Sequence, residues 1–349
     1  MNEHPMVKRT LAGLLLLLLA AGCGTGDTGP GDTGTSDVDS SVAGGSPPTS
    51  LAANGAPALP PPDSVKVGVI PPDSATRARY NATMDDTRRQ NLAERPVGQI
   101  IQALGRRFLG RPYLIGPLDQ TLDENPPEQL VCRLDGFDCF TFDEALLAMA
   151  RTVKDGSYSY DEYKDYTRRL RYRDGEIGYC NRQHYYTAFV RQAEEEGVLR
   201  NITDELGGRR RPGFRYGFMS AHRSEYPQMA RSDSLYKCIQ NVEERLNRTM
   251  TYRYIPQDSI RAVYDELEAG DLISTATGID GLDVTHTGLV YKQADTTGLL
   301  HASTSGGVKI SPDLQRYVQG VDSQTGIIVA RPIFGEGGPA DDTSSNAGR

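Results

Sequence analysis

The sequence predicts an α+β domain in which helices come first along the chain and pack on an antiparallel sheet built from the C-terminal third. Apolar stripes at helical spacing fill residues 97–247, short β-rich runs fill 271–330, and the two patterns do not alternate. Strict alternation would indicate a parallel sheet; a block of helices followed by a block of strands indicates segregated layers.

The first helix spans 97–109, where Ile100, Ile101, Leu104 and Phe108 recur on one face and Gly110 stops the run. The second spans 139–153, with Phe142, Ala145, Leu146 and Met149 on one face. A third is expected over 182–197 and a fourth over 234–247. The strand runs are 271–274, 286–291, 299–302, 308–310 and 326–330, separated by Gly, Asp and Thr. No internal repeat is present.

The folded part does not fill the chain. Over 349 residues the apolar fraction is 38% and the mean hydropathy is -0.49, values that fit one compact domain plus unpacked sequence. Residues 1–23 carry Lys8 and Arg9, an apolar run over 11–19, and Ala20-Ala21-Gly22-Cys23. The run is too short to span a bilayer and reads as a secretory signal. Its end resembles a bacterial lipoprotein lipobox, with Ala20 where Leu is usual, and this implies lipidation at Cys23 and a membrane anchor. Gly24 offers no aspartate-type retention signal, so the expected location is the outer membrane, facing the periplasm. Residues 24–74, rich in Gly, Pro, Ser, Thr and Asp, cannot bury enough apolar area to offset ordering and read as a disordered linker. The tail 335–349 is similar, which leaves 75–334 as the folded domain. A net charge of -8 argues against nucleic acid as partner, and the basic run 208–211 reads as a solvated turn.

Four further cysteines follow Cys23: Cys132, Cys139, Cys180 and Cys238. An exported compartment permits disulfides, and the pairing among Cys132, Cys180 and Cys238 is left open by spacing. Cys139 sits where the turn Phe137-Asp138 becomes an amphipathic helix. A thiol there feels the positive end of the helix dipole, which favours thiolate, and the same N–H groups suit an oxyanion. Of five histidines, His286 and His301 lie on strands joined by the polar turn 293–298, which brings them close on one sheet. Nucleophile, base and orienter would then be Cys139, His286 and His301, the alternative being a bridged cysteine and two ordinary strand histidines.

Asp138-Cys139, the block His286-Thr287-Gly288-Leu289-Val290 and the block His301 to Ile310 resemble the three signature blocks of the NlpC/P60 superfamily of papain-like cell-wall hydrolases. Phe108 to Gly116, Arg182 to Tyr186, Gly197-Val198-Leu199, Gly270 to Ile273 and Gly281 to His286 resemble its N-acetylmuramoyl-L-alanine amidase-like branch, formerly domain of unknown function 1460. The chain departs from the branch at Phe189, where tryptophan is expected. The resemblance implies a papain-like fold, a peptidoglycan substrate, no metal or other cofactor, and a thioester acyl-enzyme on Cys139. It also implies that Tyr113 lines the nucleophile, and that Arg182 and His184, at one helix start, contact the stem peptide. Asp138 is expected to cap the catalytic helix, with substrate contact as the alternative, Asp283 to hold a turn or strand end, and His222 to be structural or solvent-facing.

Three alternatives are weighed against the amidase. An endopeptidase cutting between D-glutamate and diaminopimelate would use the same triad. A zinc amidase built from His184, His222, His286 and His301 lacks the close-spaced ligand pairs of such sites. A non-catalytic wall-binding module would have no need of an intact triad.

Overall fold

The computed structural model describes residues 72–118 and 127–334. The signal segment with Cys23, the linker up to residue 71 and the tail 335–349 lie outside the described residues. The helices are α1 (Asp73–Arg89), α2 (Val97–Arg106), α3 (Cys139–Lys154), α4 (Tyr160–Arg171), α5 (Tyr186–Glu195), α6 (Phe218–Ala221), α7 (Pro227–Arg231), α8 (Asp233–Thr249) and α9 (Leu314–Gln319). The strands are β1 (Leu199–Asn201), β2 (Arg209–Arg210), β3 (Arg253–Pro256), β4 (Leu272–Thr277), β5 (Val284–Gln293), β6 (Thr296–Ser303), β7 (Gly307–Ser311) and β8 (Gln324–Pro332).

The eight strands form one antiparallel sheet in the order β2-β3-β8-β4-β5-β6-β7, with β1 pairing β8 beside β3. Sequence neighbours β4 to β7 are also spatial neighbours, as hairpin connections dictate. The α+β prediction therefore holds. The β5–β6 hairpin is tight: Gln293 pairs with Thr296, and Ala294 takes a positive φ of 47° in the two-residue loop.

Alternation along the strands sends side chains to two cores. Leu289, Leu300 and Ala302 join Phe108, Phe142, Leu146 and Met149 beneath α2 and α3. Val290, Leu299, Ile273 and Val329 join Leu314 and Val318 beneath α9 on the opposite face. A third cluster, with Tyr185, Met229, Ile239 and Leu246, holds α8 to the segment before α5. There Cys180 and Cys238 form a disulfide, while Cys132 and Cys139 are free thiols.

Besides the short helices α6, α7 and α9, the two long helices α1 and α4 escape the periodicity of the sequence, and their buried faces explain why. α1 buries Thr76, Tyr80, Met84 and Thr87, and α4 buries Tyr160, Tyr163, Thr167, Leu170 and Arg171, so half of each stripe scores as polar. α1 also begins at Asp73, two residues inside the expected linker. The helix expected over 182–197 starts only at Tyr186, so Arg182 and His184 lie in an extended lead-in rather than on a helix. Two contacts hold that lead-in extended: Gln183 donates its N–H to the Arg171 carbonyl, and Tyr172 bridges to Arg182 as an antiparallel pair. The helix start is capped from far along the chain, since Asp283 Oδ2 accepts from the Thr187 N–H and hydroxyl at 2.8 Å each.

Candidate active site

The nucleophile candidate is placed by a capping box. Asp138 Oδ1 accepts from the Thr141 N–H at 2.7 Å, and the Thr141 hydroxyl accepts from the Asp138 N–H at 3.1 Å, which fixes Cys139 as the first helical residue of α3. Phe137 anchors the preceding turn by packing edge-on against Phe108 and Phe142. The loop bearing Tyr113 runs alongside: Leu114 donates to the Phe137 carbonyl at 2.8 Å, and Phe137 donates to the Pro112 carbonyl at 3.1 Å. Gly307 of β7 allows that loop close, since a Cβ there would lie 2.0 Å from the Arg111 carbonyl oxygen.

The histidine pair comes from the β5–β6 hairpin. The ladder runs to Leu289 opposite Leu300, and beyond it Gly288 faces His301, where an added Cβ would sit 2.8 Å from the His301 Cβ. With no side chain in that place, the two imidazoles meet diagonally, His286 Nε2 lying 2.7 Å from His301 Nδ1. His301 Nε2 continues to Ser311 Oγ on β7 at 3.0 Å. Tyr317 of α9 closes over both rings, with centroids at 5.8 Å and 4.8 Å. The β4–β5 register shifts beside His286, because Thr275 pairs with His286 and Ala276 with Val284, leaving Thr285 as an extra residue. Bulges of this kind re-aim the neighbouring side chain.

Cys139 and His286 line one open cavity of about 310 Å³, together with Tyr113, Asp138, Arg182 and His184. Six of the seven sequence-predicted site residues thus converge, and the seventh, His301, stands fully buried behind His286. Arg182 lies 3.5 Å from Glu128 and over the Tyr179 ring, and the His184 ring donates from Nε2 to the Tyr179 carbonyl at 2.7 Å. Asp283, though it lines the cavity, is committed to capping α5. His222 donates to the Phe218 carbonyl at 2.7 Å and stacks on that ring, a structural role.

The electrostatics correct one expectation. A helix start favours thiolate, but burial, reinforced by the Asp138 and Asp143 carboxylates, holds the Cys139 thiol well above its ordinary pKa, opposed by the nearby Thr287 backbone and hydroxyl. Burial likewise holds the His286 imidazole down at about 4 and His301 well below its usual value. Burial thus disfavours the charged form of all three groups in the resting site. Sequence reasoning misses Thr287, Asp143, Tyr186, Tyr317 and Ser311. Only Thr287, between His286 and Gly288, and Asp143, one helical turn after Cys139, carry a signal in their spacing.

An α+β scaffold that lines one cavity with a thiol, an imidazole backed by a second imidazole, and polar walls carries the groups that nucleophilic hydrolysis needs. The chain is a member of the AmiA-like family, described as N-acetylmuramoyl-L-alanine amidase-like, whose family model matches residues 103–327. It resembles an N-acetylmuramoyl-L-alanine amidase from Bacteroides uniformis at 30% identity and a TM-score of 0.62, over 68% of this chain and 99% of that one. A Bacteroides fragilis structure is also 30% identical, with a TM-score of 0.58 over 65% of this chain and 98% of its own. A Legionella pneumophila protein at 17% identity and a TM-score of 0.53 shares the fold. No curated protein matches the chain.

Proposed function

We propose that this chain is a cysteine-dependent peptidoglycan amidase of papain-like, NlpC/P60 type that cleaves the bond between the lactyl group of N-acetylmuramic acid and L-alanine. The observation that carries the reading is that Cys139 and His286 line one cavity, with His286 Nε2 engaged by His301 Nδ1 at 2.7 Å. Two neutral imidazoles in contact must share one proton between them. If His286 Nε2 donates to His301 Nδ1, His301 Nε2 is left to donate to Ser311 Oγ, and His286 Nδ1 carries a free lone pair.

The reaction follows from that tautomer. The Cys139 sulfur attacks the amide carbonyl as its proton passes to His286 Nδ1, and the oxyanion is received by N–H groups at the start of α3 and by the Tyr113 hydroxyl. His286 then gives the proton to the alanine nitrogen, and the C–N bond breaks to leave a thioester. Water attacks the thioester with His286 as base, releasing the lactyl carboxylate and restoring the thiol. Arg182 and His184, on the cavity wall, suit the carboxylates of the stem peptide. The lipobox-like Cys23 supports a lipid anchor at an outer membrane, with the domain on the periplasmic side.

Mass spectrometry of digested muropeptides tests the bond: intact stem peptide with free glycan is expected, whereas a shortened stem assigns an endopeptidase. Cys139→Ala is expected to lower turnover by about 10⁴-fold or more. A Cys139→Ala protein that still lyses sacculi at the parent rate rules out the cysteine mechanism.

A further inference from the structure

A second acid lies directly behind the nucleophile, and the mechanism above does not use it. Asp143 is one helical turn after Cys139 on α3 and has no exposed surface. Its Oδ2 accepts from the Tyr186 hydroxyl of α5 at 2.8 Å. Its Oδ1 is buried without a hydrogen-bond partner among the described residues, and so is the Thr287 hydroxyl of β5. Thr287 lines the same cavity as Cys139, and its backbone and hydroxyl lower the pKa of the Cys139 thiol. An ionised Asp143 would be a fully buried charge held by one phenol donor, with no cation facing it among the described residues, a state that burial opposes; the neutral acid avoids that cost and can donate from Oδ1.

We propose that Asp143 is a positioning residue that acts, as a neutral acid, through Thr287 on the Cys139 sulfur. Oδ1–H donates to the Thr287 hydroxyl, which is then oriented to donate to the sulfur as negative charge develops there, while Tyr186 holds the second oxygen. Ionised, the same side chain places a negative charge one turn from the thiolate and opposes it. The groups that face Asp143 are Asp138 and Cys139 on its own helix, Tyr186 from α5, and Thr287 with the adjoining His286 from β5. Burial pushes the Asp143 carboxyl up to about 7, against the pull of Tyr186 and Thr287 and with the Asp138 charge adding to it. The switch between the two states therefore falls near neutrality.

The inference rests on the cysteine mechanism, so its experiment runs beside Cys139→Ala. The kcat/KM of the full chain on purified muropeptide is measured across roughly pH 4 to pH 9, spanning the displaced carboxyl and imidazole titrations, with the pH dependence of Cys139 alkylation by iodoacetamide followed by peptide mapping. The parent is expected to lose activity with an apparent pKa near 7. Asp143→Asn, which keeps a donor and removes the charge, is expected to abolish that alkaline limb and to alkylate faster than the parent on the alkaline side of it. Tyr186→Phe, which strips a hydrogen bond from the carboxylate, is expected to move the limb upward, and it serves if the Asn variant folds poorly. If Cys139→Ala is inactive while both variants keep the parental limb and alkylation profile, the role of Asp143 is overturned and the cysteine reading stands. An active Cys139→Ala overturns both.

Discussion

Asp143 and Glu144 are consecutive residues of α3, both buried, yet the two sides of the helix treat their carboxyls differently. Glu144 meets the guanidinium of Arg171, with Nε at 3.0 Å and 3.1 Å from its two oxygens, and the same arginine donates to the Val131 carbonyl. The charge is compensated, and the pair ties α3, α4 and the segment leading to the nucleophile into one unit. Asp143 meets a phenol and an unsatisfied hydroxyl, and has no cation among its neighbours within the described residues. Burial raises both carboxyls, but the Arg171 guanidinium pulls Glu144 back, whereas Asp143 has no cation to do so and is pushed up to about 7, where its proton can come and go.

The largest expected effect tests the architectural side. Arg171→Met leaves Glu144 buried without its cation and is expected to lower stability by about 3–5 kcal/mol in urea unfolding. Replacing both, as Arg171→Met with Glu144→Leu, is expected to restore most of that loss. A double variant as unstable as the single one would mean that the pair contributes more than mutual compensation.

The next effect belongs to Asp143 and is a matter of sign. Its carboxyl is raised from 3.8 to about 7 in the fold, so its neutral form favours folding fully below pH 3.8, and that support is lost as pH rises to 7. Asp143→Asn is accordingly expected to be more stable than the parent at about pH 8, by up to about 4 kcal/mol at roughly 1.36 kcal/mol per pH unit of displacement, and to gain little at about pH 4. His286 runs the other way: burial lowers its pKa from 6.5 to about 4, so support from its neutral form is lost as pH falls through that window. Thermal melts at about pH 4, 6 and 8 separate the two, and a variant whose advantage did not grow with pH would erase the contrast with Glu144.

The smallest effect sharpens the contrast by perturbing geometry without charge. Gly288→Ala crowds the His301 Cβ and is expected to cost about 1–3 kcal/mol in stability, since packed neighbours must give way. Displacement of the histidine pair is expected to lower turnover by about 10–100-fold in steady-state kinetics. Parental turnover in that variant would show that the pair does not depend on the bare backbone at this position.

Much of this was legible in the chain. Helices α2, α3 and α8 and the β4 to β8 run follow from apolar spacing, because their buried faces are aliphatic or aromatic. The faces of α1 and α4 are built from Tyr, Thr and Arg, which bury through hydrogen bonds and an ion pair that periodicity does not register. Six of the seven named site residues line the cavity, yet two of them, Arg182 and His184, reach it from a different local structure than expected.

By itself the sequence determined the order of helices and strands, the helix-start position of Cys139 and the hairpin that joins His286 to His301, since each depends on residues close in the chain. Tertiary structure alone decided the burial that raises the Cys139 thiol, the pairing of Cys180 with Cys238, and the approach of Thr287 to Asp143. Burial and unlike neighbours set those outcomes, and both arise from segments distant in the chain, brought together only by packing.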